Sequence, residues 1–241
     1  IVTSGVNAMR LGVAGGLTNS GINDIYLDNV KITRNAPAED HDYACFQLSG
    51  STVGVGYWNV EMDTGTNYIG AEYLGGGGSW RFFVGCKFLN GRGYTAGPGR
   101  QTGHNIYMGS ENHQLVRYCE LGTGAGGRYF NINMDSNLAA GVVVQYYNIS
   151  DCELTGFYSH IDMSNTNNDR STNAVMDDIV VERCWFHDPE TVWGSVASVF
   201  SYSSDDSTFR ENLFEDVATP TTIFYFPDTA ARPRIYDNTM P

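Results

Sequence analysis

The segment FVGCKF at residues 83–88 recurs along the chain as VRYCEL at 116–121, ISDCEL at 149–154 and VERCWF at 181–186. In each copy a cysteine follows one apolar residue by three positions and precedes another by two. The four cysteines are separated by 33, 33 and 32 residues. A fixed period of this length is typical of proteins built from stacked repeats, so the repeat organises this chain.

The same pattern continues in both directions with the cysteine replaced. The further copies are LDNVKI at 27–32, YWNVEM at 57–62, FRENLF at 209–214 and IYDNTM at 235–240. All eight copies have an apolar or aromatic residue three positions before the central residue and another two positions after it. These sixteen residues are expected to face the core; they are Leu27, Tyr57, Phe83, Val116, Ile149, Val181, Phe209, Ile235, Ile32, Met62, Phe88, Leu121, Leu154, Phe186, Phe214 and Met240.

A second type of segment lies between the copies and alternates apolar with polar residues. Examples are NIYMGS at 105–110, NINMDS at 131–136 and HIDMSN at 160–165. This alternation is typical of a half-buried strand. Glycine-rich turns such as GTGAGG at 122–127 follow, and no segment has a helical period. Each unit is therefore predicted to contain two strands separated by turns.

Short strands at a period of about 30 residues favour a right-handed parallel β-helix with one coil per repeat. A propeller blade usually needs about 40 residues, and a hexapeptide helix needs a finer period. Eight coils stacked about 4.8 Å apart would form a rod of roughly 40 Å. With these corner segments the chain resembles the pectate-lyase-like β-helix superfamily. The resemblance implies an all-β solenoid and an enzyme that acts on polysaccharide.

The central residues of the eight copies are predicted to form one inward column. They are Val30, Val60, Cys86, Cys119, Cys152, Cys184, Asn212 and Asn238. Buried free thiols behave as small apolar groups, and stacked asparagine amides can bond to one another along the coil axis. Zinc is the alternative, but its ligands must converge on one point, which a linear column does not do. Cys45 is interpreted as a separate buried thiol.

The composition limits the partners of the chain. Of its 241 residues, 27 are acidic and 14 are basic, so the net charge is −13. Such a chain is a poor partner for nucleic acid and for anionic membranes, which attract clustered lysine and arginine. The 41% hydrophobic content indicates a folded protein, and no apolar stretch is long enough for a membrane span.

We expect residues 1–241 to form a single domain. Because the repeat runs up to Met240 and Pro241, we expect that the ends of the chain cut through a continuing repeat. A rod of this kind could associate end to end or laterally, since open coil ends expose unpaired backbone. We expect the protein to be secreted or to lie at the cell surface.

The outward face of the intervening strands is the predicted functional surface. Alignment of these strands places one polar column along it. Its members are Gln47, Tyr73, Tyr107, Asn133, Asp162, Ser201 and Tyr225. The residues two positions earlier, among them Asn105, Asn131 and His160, are expected to be exposed beside this column. Tyrosine rings can stack on sugars while amides and carboxylates form directional hydrogen bonds, so the surface suits a polysaccharide. The alternative is an inert polar face, because an exposed sheet face is expected to be polar in any case.

Two catalytic schemes are compatible with these residues. In a lyase, His160, Tyr107 or Arg128 would act as base or acid, and Asp162, Asp135 or Asp169 could hold Ca²⁺ as a cofactor. In a hydrolase, Asp135 and Asp162 would lie roughly 8 Å apart, a separation that suits an inverting mechanism. The predicted catalytic residues are His160, Asp162, Asp135 and Arg128, and the predicted sugar-binding residues are Tyr107, Asn105, Asn131, Asn133 and Tyr73.

The alternative to an enzyme is a non-catalytic rod, such as a tailspike-like fibre, an adhesin or a filament subunit. Two further residues bear on the choice of surface. Trp185 lies between two predicted inward residues, so it is expected to face outward and could add to a binding surface; core packing or coverage of a neighbouring loop is the alternative. His113 is expected to lie in a turn or at an edge and to be solvated.

Overall fold

The computed structural model describes seventeen segments of the chain. They are residues 2–3, 9–11, 24–34, 44–49, 53–63, 69–74, 79–89, 104–107, 112–122, 130–133, 143–156, 159–163, 175–188, 197–201, 204–215, 222–225 and 232–240. Within these segments all regular structure is β-strand. None of the described residues belongs to a helix that is long and apolar enough to span a membrane.

The strands form three parallel sheets. Sheet 1 contains β1 Val2–Thr3, β4 Lys31–Arg34, β7 Glu61–Asp63, β10 Lys87–Leu89, β13 Glu120–Leu121, β16 Glu153–Thr155, β19 Trp185–His187 and β23 Leu213–Phe214. Sheet 2 contains β2 Met9–Leu11, β5 Ala44–Ser49, β8 Ile69–Leu74, β11 His104–Tyr107, β14 Phe130–Asn133, β17 Ser159–Met163, β20 Ala197–Ser201 and β24 Thr222–Tyr225. Sheet 3 contains β3 Ile25–Asp28, β6 Val53–Trp58, β9 Ser79–Val84, β12 Asn112–Arg117, β15 Val143–Ser150, β18 Val175–Glu182, β22 Thr208–Arg210 and β25 Arg234–Tyr236, with β21 Ser204–Asp205 beside β18.

The chain visits the three sheets in turn, so the neighbours in every sheet come from successive repeats. This all-β, parallel arrangement is consistent with a parallel β-helix. Each repeat contributes three strands where the sequence predicted two. The reason is that each copy of the repeat bends at its central residue, so that its first half joins sheet 3 and its second half joins sheet 1.

The two apolar columns predicted from the repeat form the core. Thirteen of the sixteen residues are at most 1% exposed, and the rings stack between coils. Tyr57 and Phe83 lie face to face with centroids 4.7 Å apart, as do Phe186 and Phe214. The exceptions are Leu27, which is half-buried, and the pair in the last copy, Ile235 and Met240, which are exposed.

A left-handed residue precedes the central residue at every corner. The eight residues have φ between 50° and 64°; they are Asn29, Asn59, Gly85, Tyr118, Asp151, Arg183, Glu211 and Asp237. This conformation turns the chain sharply, so that the next residue faces inward. Asparagine, aspartate and glycine tolerate it, whereas tyrosine, arginine and glutamate rarely adopt it. The stacked hydrogen bonds around the corner hold these residues in place, for example from Glu120 N to Cys86 O at 2.9 Å.

Six of the eight central residues are buried as predicted, four of them free cysteines in succession, whereas Val30 and Asn238 are only half-buried. Each thiol is placed to donate a hydrogen bond to a backbone carbonyl in the preceding copy of the repeat, that of the residue three positions before the central residue. An example is the bond from Cys152 Sγ to Val116 O at 3.5 Å. Burial raises the pKa of the Cys152 thiol well above its usual value. Asn212 makes the same bond to Val181 O at 3.1 Å, so thiol and amide play one role at the corner. The side chain of Cys45 lies outside the described residues.

The asparagine amides bond along the column, as the sequence predicted. Asn212 Nδ2 donates to Asn238 Oδ1 at 2.9 Å, and Asn212 Oδ1 accepts from Cys184 N at 3.0 Å. Replacing Asn212 by alanine is expected to lower the free energy of unfolding by about 1–3 kcal/mol, because buried backbone groups lose their partners. Urea denaturation measures the loss. The control is Asn212→Cys, which should recover part of it, since Cys152 Sγ already accepts from Cys119 N. Equal losses in both variants would contradict this account.

An ion-pair ladder crosses the outer side of the corner between sheets 3 and 1. Asp151 accepts from Arg117 Nε at 3.1 Å and from Arg183 Nε at 2.8 Å. Arg183 and Arg210 both bind Glu182. The hydrogen bonds from Arg183 lower the pKa of Asp151. Burial raises the pKa of Glu182, but the hydrogen bonds from Arg210 and Arg183 outweigh burial, so the pKa of Glu182 is lowered as well. The carboxylates of this ladder are therefore neutralised within the protein.

Candidate carbohydrate-binding surface

The structure confirms the strand register of part of the predicted column on sheet 2. Tyr107 pairs in register with Asn133, and Asn133 pairs with Asp162. Gln47 and Tyr225 occupy the same column in the outer coils. The side chains of these five residues lie outside the described part of the chain, and so does that of Asn131. Their predicted roles in binding or catalysis stay predictions.

The predicted register is wrong by one residue in two coils. Glu72, and not Tyr73, pairs with Tyr107, while Tyr73 pairs with Leu48. Similarly Phe200, and not Ser201, pairs with Asp162. A slip of one residue moves a strand's side chains to the opposite face of the sheet. Glu72 therefore holds the register position that was predicted for Tyr73, and Phe200 holds the one that was predicted for Ser201.

The predicted exposure of Asn105 and His160 is also wrong, because both are fully buried. Each of them is followed by a buried isoleucine, so two consecutive residues face inward at the start of the strand. Asn105 Nδ2 donates to Gly122 O at 3.2 Å, and His160 Nε2 lies 3.2 Å from His187 O. Both side chains thus join sheet 2 to the end of a sheet 1 strand in the following coil.

The environment of His160 defines its protonation state. Its Nε2 faces a carbonyl oxygen, which only accepts, so the proton lies on Nε2. Its Nδ1 is buried and has no hydrogen-bond partner among the described residues, and its ring lies edge to face with Phe186 at 5.4 Å. Burial lowers the pKa of His160 from 6.5 to about 4. His160 is therefore neutral and shielded from solvent near pH 7.

Arg128, Asp135 and Asp169 lie outside the described residues, so their predicted roles are untested. In the described segments, no group of three or more histidine, cysteine, aspartate or glutamate side chains could hold a metal ion. Calcium binding through Asp162, Asp135 or Asp169 stays a prediction.

A second column of residues in the left-handed conformation runs along sheet 3. Each of them lies five positions before the left-handed residue of one of the first seven corners. Its members have φ between 50° and 70°; they are Asp24, Gly54, Trp80, His113, Tyr146, Asp178 and Asp206. A left-handed residue interrupts the alternation of the strand, and the residue after it points into the core, as Arg81, Gln114 and Tyr147 do. The column itself lies on the outer side, where Trp80 and Tyr146 are among the most exposed large side chains.

The three central members form an aromatic column. The Trp80 and His113 rings stack with centroids 4.2 Å apart and planes 18° apart, and His113 and Tyr146 stack at 4.7 Å and 26°. Trp80 is 47% exposed and Tyr146 is 48% exposed. The prediction that His113 is merely solvated is wrong, because it is held between two rings. A contiguous exposed aromatic surface of this kind marks an interaction site more often than a random surface does.

Carboxylates lie at both ends of the aromatic column. Beyond Trp80 the column continues with Gly54, and an added Cβ there would lie 2.5 Å from Asp24 Oδ1. The Asp24 carboxylate therefore occupies the space that a side chain at position 54 would fill. Beyond Tyr146 comes Asp178, which is exposed. The surface combines ring faces and edges with hydrogen-bond acceptors at its two ends.

The sequence contained a signal for this column. Trp80, His113 and Tyr146 are 33 residues apart, the same spacing as Cys86, Cys119 and Cys152. Each aromatic residue stands six positions before a cysteine. The repeat thus implied that the three side chains are stacked, but not that they point outward.

A second exposed aromatic group lies on sheet 1. Trp185 is 39% exposed, which confirms its predicted outward orientation. Its ring stacks on His187 at 3.9 Å and 22°, and its Nε1 donates to Glu215 Oε2 at 2.9 Å. His187 in turn contacts Glu153 Oε1 at 3.1 Å through Nε2 and Asp188 Oδ2 at 2.9 Å through Nδ1.

Comparison of the chain with protein-family models, with curated proteins and with solved structures found no match. The function of the chain is therefore inferred from the chemistry of these surfaces.

Proposed function

We propose that this protein is a single-domain, right-handed parallel β-helix of about eight coils that binds an extracellular polysaccharide. The observation that carries the proposal is the exposed aromatic column Trp80–His113–Tyr146. The chain would be secreted or displayed at the cell surface. Degradation of the bound glycan, by a lyase or hydrolase reaction at sheet 2, extends the same proposal.

The aromatic column suits a sugar chain for two reasons. The C–H faces of a sugar ring are apolar and pack on aromatic rings, while its hydroxyl groups donate to carboxylates such as Asp24 and Asp178. Sites that combine aromatic walls with a few fixed polar groups are typical of ligand binding. In addition, burying apolar surface contributes roughly 25 cal/mol per Å², so covering two half-exposed rings favours binding.

The electrostatics favour a neutral or cationic glycan over a polyanion. The net charge of the chain is −13, and the charged residues at the ends of the aromatic column are aspartates. The nearby arginines of the corner ladder are already paired with Asp151 and Glu182. A uronate polymer would therefore meet repulsion without a free arginine of this ladder to offset it.

The test is the binding of glycans to the Trp80→Ala and Tyr146→Ala variants. We expect each variant to weaken the affinity for a neutral oligosaccharide by about 10-fold, as is typical when an aromatic contact worth ~1–2 kcal/mol is removed. Isothermal titration against a panel of neutral oligosaccharides measures the effect.

Tyr118→Ala is the matched control for Tyr146→Ala. Tyr118 is 57% exposed and left-handed like Tyr146, but it lies at the corner under Arg117, whose guanidinium is 4.7 Å from the ring centroid. Its loss should leave glycan binding unchanged. If no glycan binds to the wild-type chain, the proposal is wrong and a non-catalytic rod becomes the better hypothesis. Assays for new reducing ends and for unsaturated products on the same panel test degradation.

A further inference from the structure

The outward column of sheet 1 changes character along the molecule. In the earlier coils it alternates charges: Lys31 binds Glu61, and Lys87 binds Glu120, both at 2.5 Å. The next positions in register are Glu153 and then Trp185. Glu153 thus follows Glu120 directly, with no lysine of its own. The pairing that neutralises the earlier glutamates stops at this point.

Three carboxylates surround Trp185 without a cationic partner of that kind. They belong to Glu153, Asp188 and Glu215. In the described part of the chain, none of them forms an ion pair with lysine or arginine, and their contacts are to His187 and to the indole N–H. The Glu153 side chain is 41% exposed and that of Asp188 is 67% exposed. The carboxylates of Glu153 and Asp188 are therefore open to solvent beside the Trp185–His187 pair.

The indole itself is held in one orientation. His187 covers one face at 3.9 Å, and the hydrogen bond to Glu215 Oε2 fixes the direction of the N–H. His187 is fixed in turn, because its two ring nitrogens meet Glu153 and Asp188 and its carbonyl oxygen meets the buried His160. Among the described residues no ring other than His187 stacks on Trp185. A partly exposed indole that is fixed in orientation and has carboxylates beside it is preorganised for a ligand.

We propose that this group, Trp185 with Glu153, Asp188 and Glu215, binds the protonated amino group of an amino-sugar polymer. An ammonium ion is attracted to an indole face, which is the best aromatic partner for a cation. It also offers three N–H donors to the carboxylates, as Lys31 and Lys87 do for the glutamates of the earlier coils. The C–H face of the sugar that carries the amine can pack beside the ring.

This inference rests on the proposed function, since it names the class of glycan that the protein binds. It also accounts for the net charge of −13, because a polycationic chain is attracted over a long range to an acidic protein. The aromatic column on sheet 3 would bind neutral parts of a glycan independently of this group.

The experiment compares two hexamers with the same sugar backbone, one of glucosamine with free amines and one of N-acetylglucosamine with neutral amides, at a pH where the amines are protonated. Wild-type protein is expected to bind the glucosamine hexamer at least about 10-fold more tightly, with an affinity that falls as salt is added. Trp185→Ala, and the double variant Glu153→Gln with Asp188→Asn, should each remove most of this preference.

Glu120→Gln is the matched control, because the carboxylate of Glu120 is already paired with Lys87; it should keep the preference. Trp185→Phe keeps a ring on His187 and guards against loss of folding, and circular dichroism checks every variant. Equal affinity of the wild-type chain for the two hexamers would overturn the inference, and so would an unchanged preference in the Trp185 and double variants. Neutral-glycan binding that still depends on Trp80 would then show that only this inference fails, whereas its absence would count against the proposed function.

Discussion

Replacing Phe186 by alanine is expected to lower the free energy of unfolding by about 3–5 kcal/mol. Phe186 is fully buried, its ring stacks on Phe214 at 4.7 Å, and it meets the edge of His160 at 5.4 Å. The truncation leaves a cavity between coils that the sheets on three sides prevent from closing. Urea denaturation followed by circular dichroism measures the change as a lower midpoint.

Phe82→Ala is the matched control for Phe186→Ala. It removes the same atoms from the outer side of sheet 3, where Phe82 is only half-buried. The expected loss is below about 1.5 kcal/mol, because solvent replaces the lost contacts and no cavity forms. A loss as large as that of Phe186→Ala would mean that the outer side is packed as tightly as the core.

Stability is expected to fall by about 3 kcal/mol as the pH is lowered from 6.5 to about 4, because of His160. Burial lowers the pKa of this histidine to about 4 in the folded state, against 6.5 in the unfolded chain. Between these values the unfolded chain binds a proton that the folded protein does not, so acid favours unfolding. The contribution of His160 is complete above pH 6.5 and is lost progressively toward pH 4. Denaturation midpoints across this range measure the slope.

The matched variant for this prediction is His160→Gln, whose amide can still donate to the His187 carbonyl but does not titrate in this range. It should flatten the dependence on pH between 6.5 and about 4. The carboxylates Asp151 and Glu182, whose pKa values are lowered, act in a different window: their contribution is present above their unfolded pKa and is lost as the pH falls through the folded one. An unchanged slope in His160→Gln would show that another group controls the acid response.

Much of the fold was predictable because the corner imposes a strong constraint on sequence. The residue that follows the left-handed turn must be small and must face inward, and where its side chain can donate, as in Cys152 and Asn212, it also binds a carbonyl of the preceding coil. The apolar residues on either side must then stack in register. These constraints recur in every coil, so they produce a repeat that can be recognised in a single sequence.

The candidate site was less predictable because it depends on places where side chains do not alternate between the inward and outward sides of a strand. His160 and Asn105 are buried because two consecutive residues face inward at the start of their strands, and simple alternation assigns one of each pair to the wrong side. Trp80, His113 and Tyr146 point outward because of positive φ values. These residue types seldom adopt that conformation, so nothing in the sequence announces it.

The sequence by itself determined the period, the inward columns, the unpaired thiols and the acidic character of this protein, since each follows from residue type and spacing. Only the tertiary structure decided that Asn105 and His160 are buried and that Trp80 and Tyr146 reach solvent. The reason is physical. Left-handed residues and the joints between sheets change which side of the sheet the following side chains occupy, and strict alternation of inward and outward residues along a strand does not predict these changes. The neutralisation of a carboxylate likewise depends on the residue one coil away, as Lys87 beside Glu120 shows, and as Glu153 beside Trp185 shows by contrast.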